Sequence, residues 1–327
     1  GQQLLVEHAR HAPFLASLLG QAPLHAGFPA TTATSLTSIG TGRPSGEHGI
    51  VGYTFEAPGV GALNALTWRS ADVAAVDLRE SWPPELAQPV TTAFESAVTA
   101  GLTVTMAAPR YQDGSGLTRA AFRGAQFQSV WALGDLAAAA VDTPSGSLRY
   151  AYHGDLDGLG HRYGPGSPAW RHQLAVVDRL VESVAAALPA GTLLAVTADH
   201  GMVEVTERID VDAEAALTQG VRLVAGEPRV RHVYAEPGAA AVVLDTWRRR
   251  LADRAWVLAA EEAIDCGWFG PTVTDTVRAR LGDIIVAMRG TAAVVRSAAE
   301  PFESALIGHH GSLTPAEQLV PLLLVRG

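Results

Sequence analysis

The segment SLRYAYHGDLDGLGHRYGPGSPAWRHQLAVVDRLVESVAAALPAGTLLAVTADHG, residues 147–201, limits the fold more than any other part of the chain. Apolar runs at Leu148 to Tyr152 and Leu193 to Thr197 have the length of buried strands. Between them, Trp170 to Leu188 places Leu174, Val177, Leu180, Val181, Val184 and Leu188 at three-to-four spacing and is closed by Pro189 and Gly191. Strand, helix and strand in that order predict a mostly parallel sheet covered by helices. In such sheets ligands collect at the carboxyl edge of the strands. The second run ends on Asp199 and His200, two metal-capable side chains at that edge.

Further strands are predicted at Leu102 to Met106, Ala240 to Leu244, Ile284 to Met288 and Val320 to Val325, the last an edge strand because of Pro321. A second helix is predicted over Pro89 to Thr99. The stretch from about Val205 to Glu303 is less regular and punctuated by Gly and Pro, as in GEPRVRHVYAEPGAA and DCGWFGP. It reads as an inserted cap or subdomain, residues 206–303, in a core formed by 1–205 and 304–327. With 327 residues and 48% hydrophobic composition the chain can bury a core of that size. A net charge of −9 without a dense Lys/Arg block argues against coating a nucleic-acid polymer, although bound cations would still admit a small acidic substrate. No apolar run has the roughly 20 residues of a membrane span. The single cysteine, Cys266, requires no oxidising compartment, and the cytoplasm is the expected location. The chain opens on Gly1, directly before an amphipathic pattern, so a preceding segment is expected.

Three segments carry candidate metal ligands. In HGDLDGLGHRYGPGS, Asp157 and His161 lie four apart across what reads as a Gly-rich turn, with Asp155 as a nearby decoy. Asp199 and His200 form the second segment. His309 and His310 in GHHGSLTP form the third. Carboxylate and imidazole ligands suit Zn²⁺ or Mn²⁺, and five or more suit two ions. Such a pair can clamp the attacking and leaving oxygens of a phosphoryl displacement. The fourth segment, GFPATTATSLTSIGTGRPSGEHGIVGY, puts hydroxyls at the start of a short helix, where backbone N–H groups favour negative charge. On residues alone Thr31, Thr32, Thr34 and Ser35 are all candidate nucleophiles, and a plain helix cap is the simplest rival. His8, His11, His25, His153, His172 and His232 read as surface or core histidines.

FPATT with its following serine and glycines, Asp157 with the GHRYGP around His161, TADHGM at 197–202 and His310-Gly together resemble the type I phosphodiesterase/nucleotide pyrophosphatase family of the alkaline phosphatase superfamily. The resemblance covers about residues 28–206 and 308–325. It implies an α/β chain with an alkaline-phosphatase-like three-layer α/β/α sandwich. It also implies hydrolysis of phosphodiester or pyrophosphate bonds in a small phosphorylated substrate such as a nucleotide, through a phosphothreonine intermediate. Thr32 is then the nucleophile. Asp157, His161 and His310 hold one divalent ion; Asp199, His200 and Thr32 hold another, with zinc favoured and manganese the alternative. The superfamily's further aspartate ligand would fall just upstream of Gly1. Ser35 stands where these enzymes usually carry an asparagine that hydrogen-bonds a phosphoryl oxygen. The wall of the cleft is expected at residues 46–53, including His48, and Tyr53, Phe55 and Tyr163 are candidates to stack on a base or aryl group. Alternatives are a phosphonate or phosphomonoester hydrolase at the same site, or a metal-stabilised binding protein without turnover. No arginine adjoins the nucleophile motif, since Arg43 follows a turn or so later, and this favours diesters.

Overall fold

The computed structural model describes residues 1–72, 74–142 and 144–327. Helices and strands alternate through an α/β architecture in which, among the described residues, the strands form seven sheets of two to four strands. Parallel pairing is found in β1 (Thr103–Pro109), flanked by β2 (Gln126–Val130) and β3 (Ser147–Ala151), with Thr105 opposite Gln126 and Thr103 opposite Ser147. The next strand, β4 (Leu193–Val196), does not extend this sheet. A cavity of about 840 Å³, lined by residues of both strands such as Leu148, Tyr150, Leu194 and Val196, separates β3 from β4.

The largest sheet is antiparallel: β5 (Val221–Glu227), β6 (Val230–Ala235), β7 (Ala255–Ala259) and β8 (Ile284–Met288), in the order β5-β6-β8-β7. Its two faces are both apolar. Val224, Val233, Val257, Ile284 and Val286 pack with Trp247 and Leu251 into a cluster made wholly of residues between 209 and 294. Val230, Ile285 and Ala287 instead join the main core, which includes Phe28, Leu36, Phe55 and Phe269. One face of this sheet therefore has a cluster of its own, and the other packs against the segment that holds Phe28 and Leu36. Finally β9 (Leu323–Arg326) pairs antiparallel with β4.

Three helices lie at or beside the candidate site, α1 (Thr32–Thr41), α2 (Asp155–Tyr163) and α3 (Pro168–Ala186), and a fourth, α4 (Ala240–Leu251), packs on the largest sheet. The last corrects the strand predicted at Ala240 to Leu244. Val243, Trp247 and Leu251 repeat every four residues and are all buried, a helical period that a short apolar run cannot reveal. The segment between Asp157 and His161 is likewise helix, not turn. Gly160 sits inside α2 because a Cβ there would meet Met202 Sδ at 2.5 Å. The helix predicted from Pro89 begins only at Ala93, where Thr92 and Glu95 form a capping box. The predicted Val320 to Val325 strand splits around Pro321 into Leu319–Val320 and β9. Among the described residues no helix is long and apolar enough to cross a membrane.

Candidate metal centre

Helix α1 is built from TATSLTSIGT, where Thr, Ser and Gly, all poor helix formers, outnumber Ala33 and Leu36, and packing holds it. Thr37 and Thr41 turn their hydroxyls back onto the carbonyls of Ala33 and Thr37, so buried polar groups remain satisfied. Gly40 lets the helix touch its neighbour, since a Cβ would lie 1.8 Å from the Ala121 carbonyl oxygen. Gly42 ends the helix with φ 67°. Thr31 is the N-cap residue and Thr32 the first helical one, so Thr32 is not the cap.

Of the four hydroxyls left open by sequence, Thr32 is the one that reaches the imidazoles. Its Oγ1 lies 3.1 Å from His200 Nε2. Thr34 donates to the Ile50 carbonyl at 3.0 Å, and Ser35 donates to the Ala26 carbonyl at 3.3 Å; both are buried.

Three imidazoles converge beside Thr32. His161 Nδ1 lies 2.7 Å from Gly308 O, His200 Nδ1 2.9 Å from Gly201 O, and His310 Nδ1 2.9 Å from Ala30 O. A carbonyl can only accept, so each Nδ1 carries the hydrogen and each Nε2 presents a lone pair. His161 and His310 bring those Nε2 atoms within 3.1 Å of each other. The His200 and His310 rings stack at 3.5 Å between centroids. Burial, and then His200 and His161, hold the His310 imidazole well below its ordinary value, which keeps it neutral as a metal ligand must be.

Asp157 completes the group. Position 157 and position 161 share one face of α2, and Asp157 Oδ2 lies 3.4 Å from His161 Nε2. Its Oδ1 is 3.8 Å from His310 Nε2 and 4.0 Å from His200 Nε2, yet it is buried with no hydrogen-bond partner. Asp199 Oδ2 lies 3.5 Å from His200 Nε2. Facing lone pairs beside an unpartnered carboxylate oxygen repel one another unless a cation lies between them, so the donor set fits a divalent ion. One trio among the described residues, Asp157, His200 and His310, brings its ligand atoms all within 4.8 Å of one another. It crosses the division into two ligand sets that the resemblance implies.

Other expectations end elsewhere. His48 is not a cleft wall: it is fully buried, faces Ser38 at 3.0 Å and accepts the Ile50 N–H, and burial drives its pKa down to about 3. Phe55 is fully buried against Trp82 and cannot stack on a ligand. Tyr53 is half-buried with its hydroxyl on Glu303 at 3.1 Å, whereas Tyr163 is half exposed at the end of α2. Asp155 is exposed beside His153, and Arg43 pairs with Glu47 on the surface. His309 is buried, with its ring 5.9 Å from that of His161. Sequence reasoning did not find Glu317 and Arg229, both fully buried and both tied to the loop that carries His310. Lone charged residues among Gly and Pro give no signal of burial.

The model of the type I phosphodiesterase/nucleotide pyrophosphatase family matches residues 1–313, and the chain belongs to that family of phosphoric ester hydrolases in the alkaline phosphatase superfamily. No curated protein sequence matches it. Among solved structures it is similar to murine ectonucleotide pyrophosphatase/phosphodiesterase 5, with TM-score 0.72 and 16% identity over 98% of this chain and 84% of that one. The same murine protein, as an inactive variant in complex with AMP, matches with TM-score 0.71, 16% identity and the same coverage. Phosphonoacetate hydrolase from Sinorhizobium meliloti, in complex with phosphonoacetate, matches with TM-score 0.68 and 19% identity over 99% and 87%. At these identities the likeness is one of fold.

Proposed function

We propose that this chain hydrolyses phosphodiester or pyrophosphate bonds of a small, nucleotide-like substrate, with Thr32 as the nucleophile. The observation that carries the reading is the convergence of three Nε2 lone pairs and Asp157 beside the Thr32 hydroxyl, 3.1 Å from His200. Divalent ions, zinc by donor chemistry with manganese the alternative, would be held by Asp157, His161 and His310 and by Asp199, His200 and Thr32, supplying positive charge to the phosphoryl oxygens and acidity to the hydroxyl.

Thr32 stands in the first turn of α1, where unpaired N–H groups favour the alkoxide and the incoming phosphate alike. Its Oγ1 forms a bond to phosphorus as the bond to the leaving oxygen breaks opposite. The threonine proton goes to solvent, and the departing oxygen takes up another. Water then cleaves the phosphothreonine, giving net retention at phosphorus. Ser35 can hydrogen-bond a phosphoryl oxygen only by turning its hydroxyl away from Ala26. Tyr163, half exposed just past His161, offers its ring to a base or aryl leaving group. A relative that holds AMP supports a nucleotide-like substrate.

The core is read as a three-layer α/β/α sandwich, and residues 206–303, whose cluster closes on itself, as the insertion that sets leaving-group choice. A panel comparing an aryl phosphodiester, an aryl phosphomonoester and phosphonoacetate tests the substrate class. Fastest turnover of the diester is expected, and faster turnover of either other compound would move the assignment to that class.

A further inference from the structure

We infer that Arg229 and Glu317 form a positioning pair that sets the geometry of the metal centre from the inserted sheet; the inference rests on the metal reading above. Both side chains are completely buried. Arg229, at the turn between β5 and β6, grips Glu317 with both arms of its fork: Nε donates to Oε1 at 2.9 Å and Nη2 to Oε2 at 2.7 Å. The guanidinium is itself fixed by the carbonyls of Met288 at 3.2 Å and Ala292. Its orientation is thereby set by the end of β8.

Glu317 passes that orientation to two ligand-bearing segments at once. Its carboxylate accepts the Ser312 N–H at 3.0 Å and the Thr314 hydroxyl at 2.5 Å, holding the loop that begins at His310. Its own carbonyl accepts the Gly201 N–H at 2.7 Å, next to His200. Space there is tight, because a Cβ on Gly201 would lie 1.8 Å from the Ala316 carbonyl oxygen. The same loop reaches the nucleophile segment, where the Ala30 N–H donates to Gly311 O at 2.8 Å. His310 and His200 are therefore registered against each other through one glutamate.

A stabilising role alone is a poor account of such a pair. The cost of desolvating two buried charges roughly offsets their attraction, and apolar replacements are often as stable. What apolar residues cannot do is hold a loop amide and a hydroxyl in fixed directions. Lysine at position 229 would keep the charge and lose the fork.

The test compares wild type, Arg229→Lys and the double variant Arg229→Met with Glu317→Leu, which leaves no unpaired charge and keeps the test open if the single variant does not fold. Two quantities are read: amide hydrogen exchange of the metal-free proteins, and Zn²⁺ affinity by competition with a chromophoric chelator. In folded variants we expect exchange at Gly201 and Ser312 to rise at least about tenfold above the rest of the chain. Zn²⁺ affinity should fall about 10- to 100-fold, the usual effect of losing an outer partner of metal ligands. Unchanged affinity with exchange raised evenly, or not at all, would make the pair mere core filling and overturn the inference. Failure of the wild type itself to bind Zn²⁺ would overturn the metal reading instead, and the exchange pattern would still decide whether the clamp exists.

Discussion

His161 and His310, 149 positions apart in the chain, point their Nε2 atoms at each other across 3.1 Å. With both Nδ1 hydrogens engaged by backbone carbonyls, the contact brings two lone pairs together. A divalent ion turns that repulsion into coordination. Zn²⁺ or Mn²⁺ should therefore raise the melting temperature, by the equivalent of about 2.7 kcal/mol at one hundred times the dissociation constant. His310→Ala should abolish most of the rise. Thermal melts with and without chelator check this, and a wild-type midpoint indifferent to metal would count against the site.

Helix α1, which carries Thr32, depends on a close approach that only glycine allows. Gly40→Ala would press a methyl group into the Ala121 carbonyl, 1.8 Å from where the new carbon must sit. Overpacking of that kind costs about 2 kcal/mol, and the helix would shift with Thr32 on it. Urea denaturation should show the loss, with turnover falling alongside. A variant as stable and active as wild type would contradict this packing of Gly40 on Ala121.

Two buried groups outside the candidate metal ligands give the stability a pH dependence. Burial pushes the Glu227 carboxyl up to about 8, against the Tyr53 N–H that it accepts. A raised folded pKa means that its contribution is complete below the unfolded value near 4.5 and is lost as pH rises through about 8. Glu227→Gln should remove that decline, worth a few kcal/mol on the order of the shift. Burial drives the His232 imidazole down to about 4, so its contribution is present above 6.5 and fades as pH falls through about 4. Denaturation midpoints from pH 4 to 9 read both effects, and a flat alkaline limb in wild type would refute the Glu227 assignment.

How much of this was legible in the sequence follows from the range of the forces involved. The β3–α3–β4 succession could be read because its periodicity is local and its caps are explicit: Ser167 before Pro168, and Pro189 after the helix. The candidate ligands Asp157, His200 and His310 could be singled out because Asp, His and Gly at strand and helix ends have few other reasons to cluster. Two adjacent valines and a leucine at 242–244 could not separate strand from helix, since only tertiary packing of Trp247 and Leu251 decides it. Phe55 and His48 looked like cleft residues because they follow the FPATT motif, but both are fully buried, Phe55 in the cluster that includes Val230 and Ile285 of the largest sheet. No local pattern announces that contact, nor the Arg229–Glu317 pair across 88 residues.

Tyr163 offers a test of leaving-group recognition. Being half exposed, its replacement by alanine should leave the fold intact. Loss of one stacking contact, about 0.5–1.5 kcal/mol, should raise KM for a nucleotide or aryl diester roughly two- to tenfold with kcat nearly unchanged. Steady-state kinetics on aryl and methyl diesters would separate stacking from general damage; equal effects on both would remove Tyr163 from the site.

The most direct test of the central claim is metal content and diester hydrolysis measured side by side in wild type and Thr32→Ala. The variant should retain most of its bound divalent metal and fold as the wild type does, while metal-dependent hydrolysis of an aryl phosphodiester falls by several orders of magnitude. Hydrolysis that survives the loss of the Thr32 hydroxyl, with the metal in place, would contradict that claim.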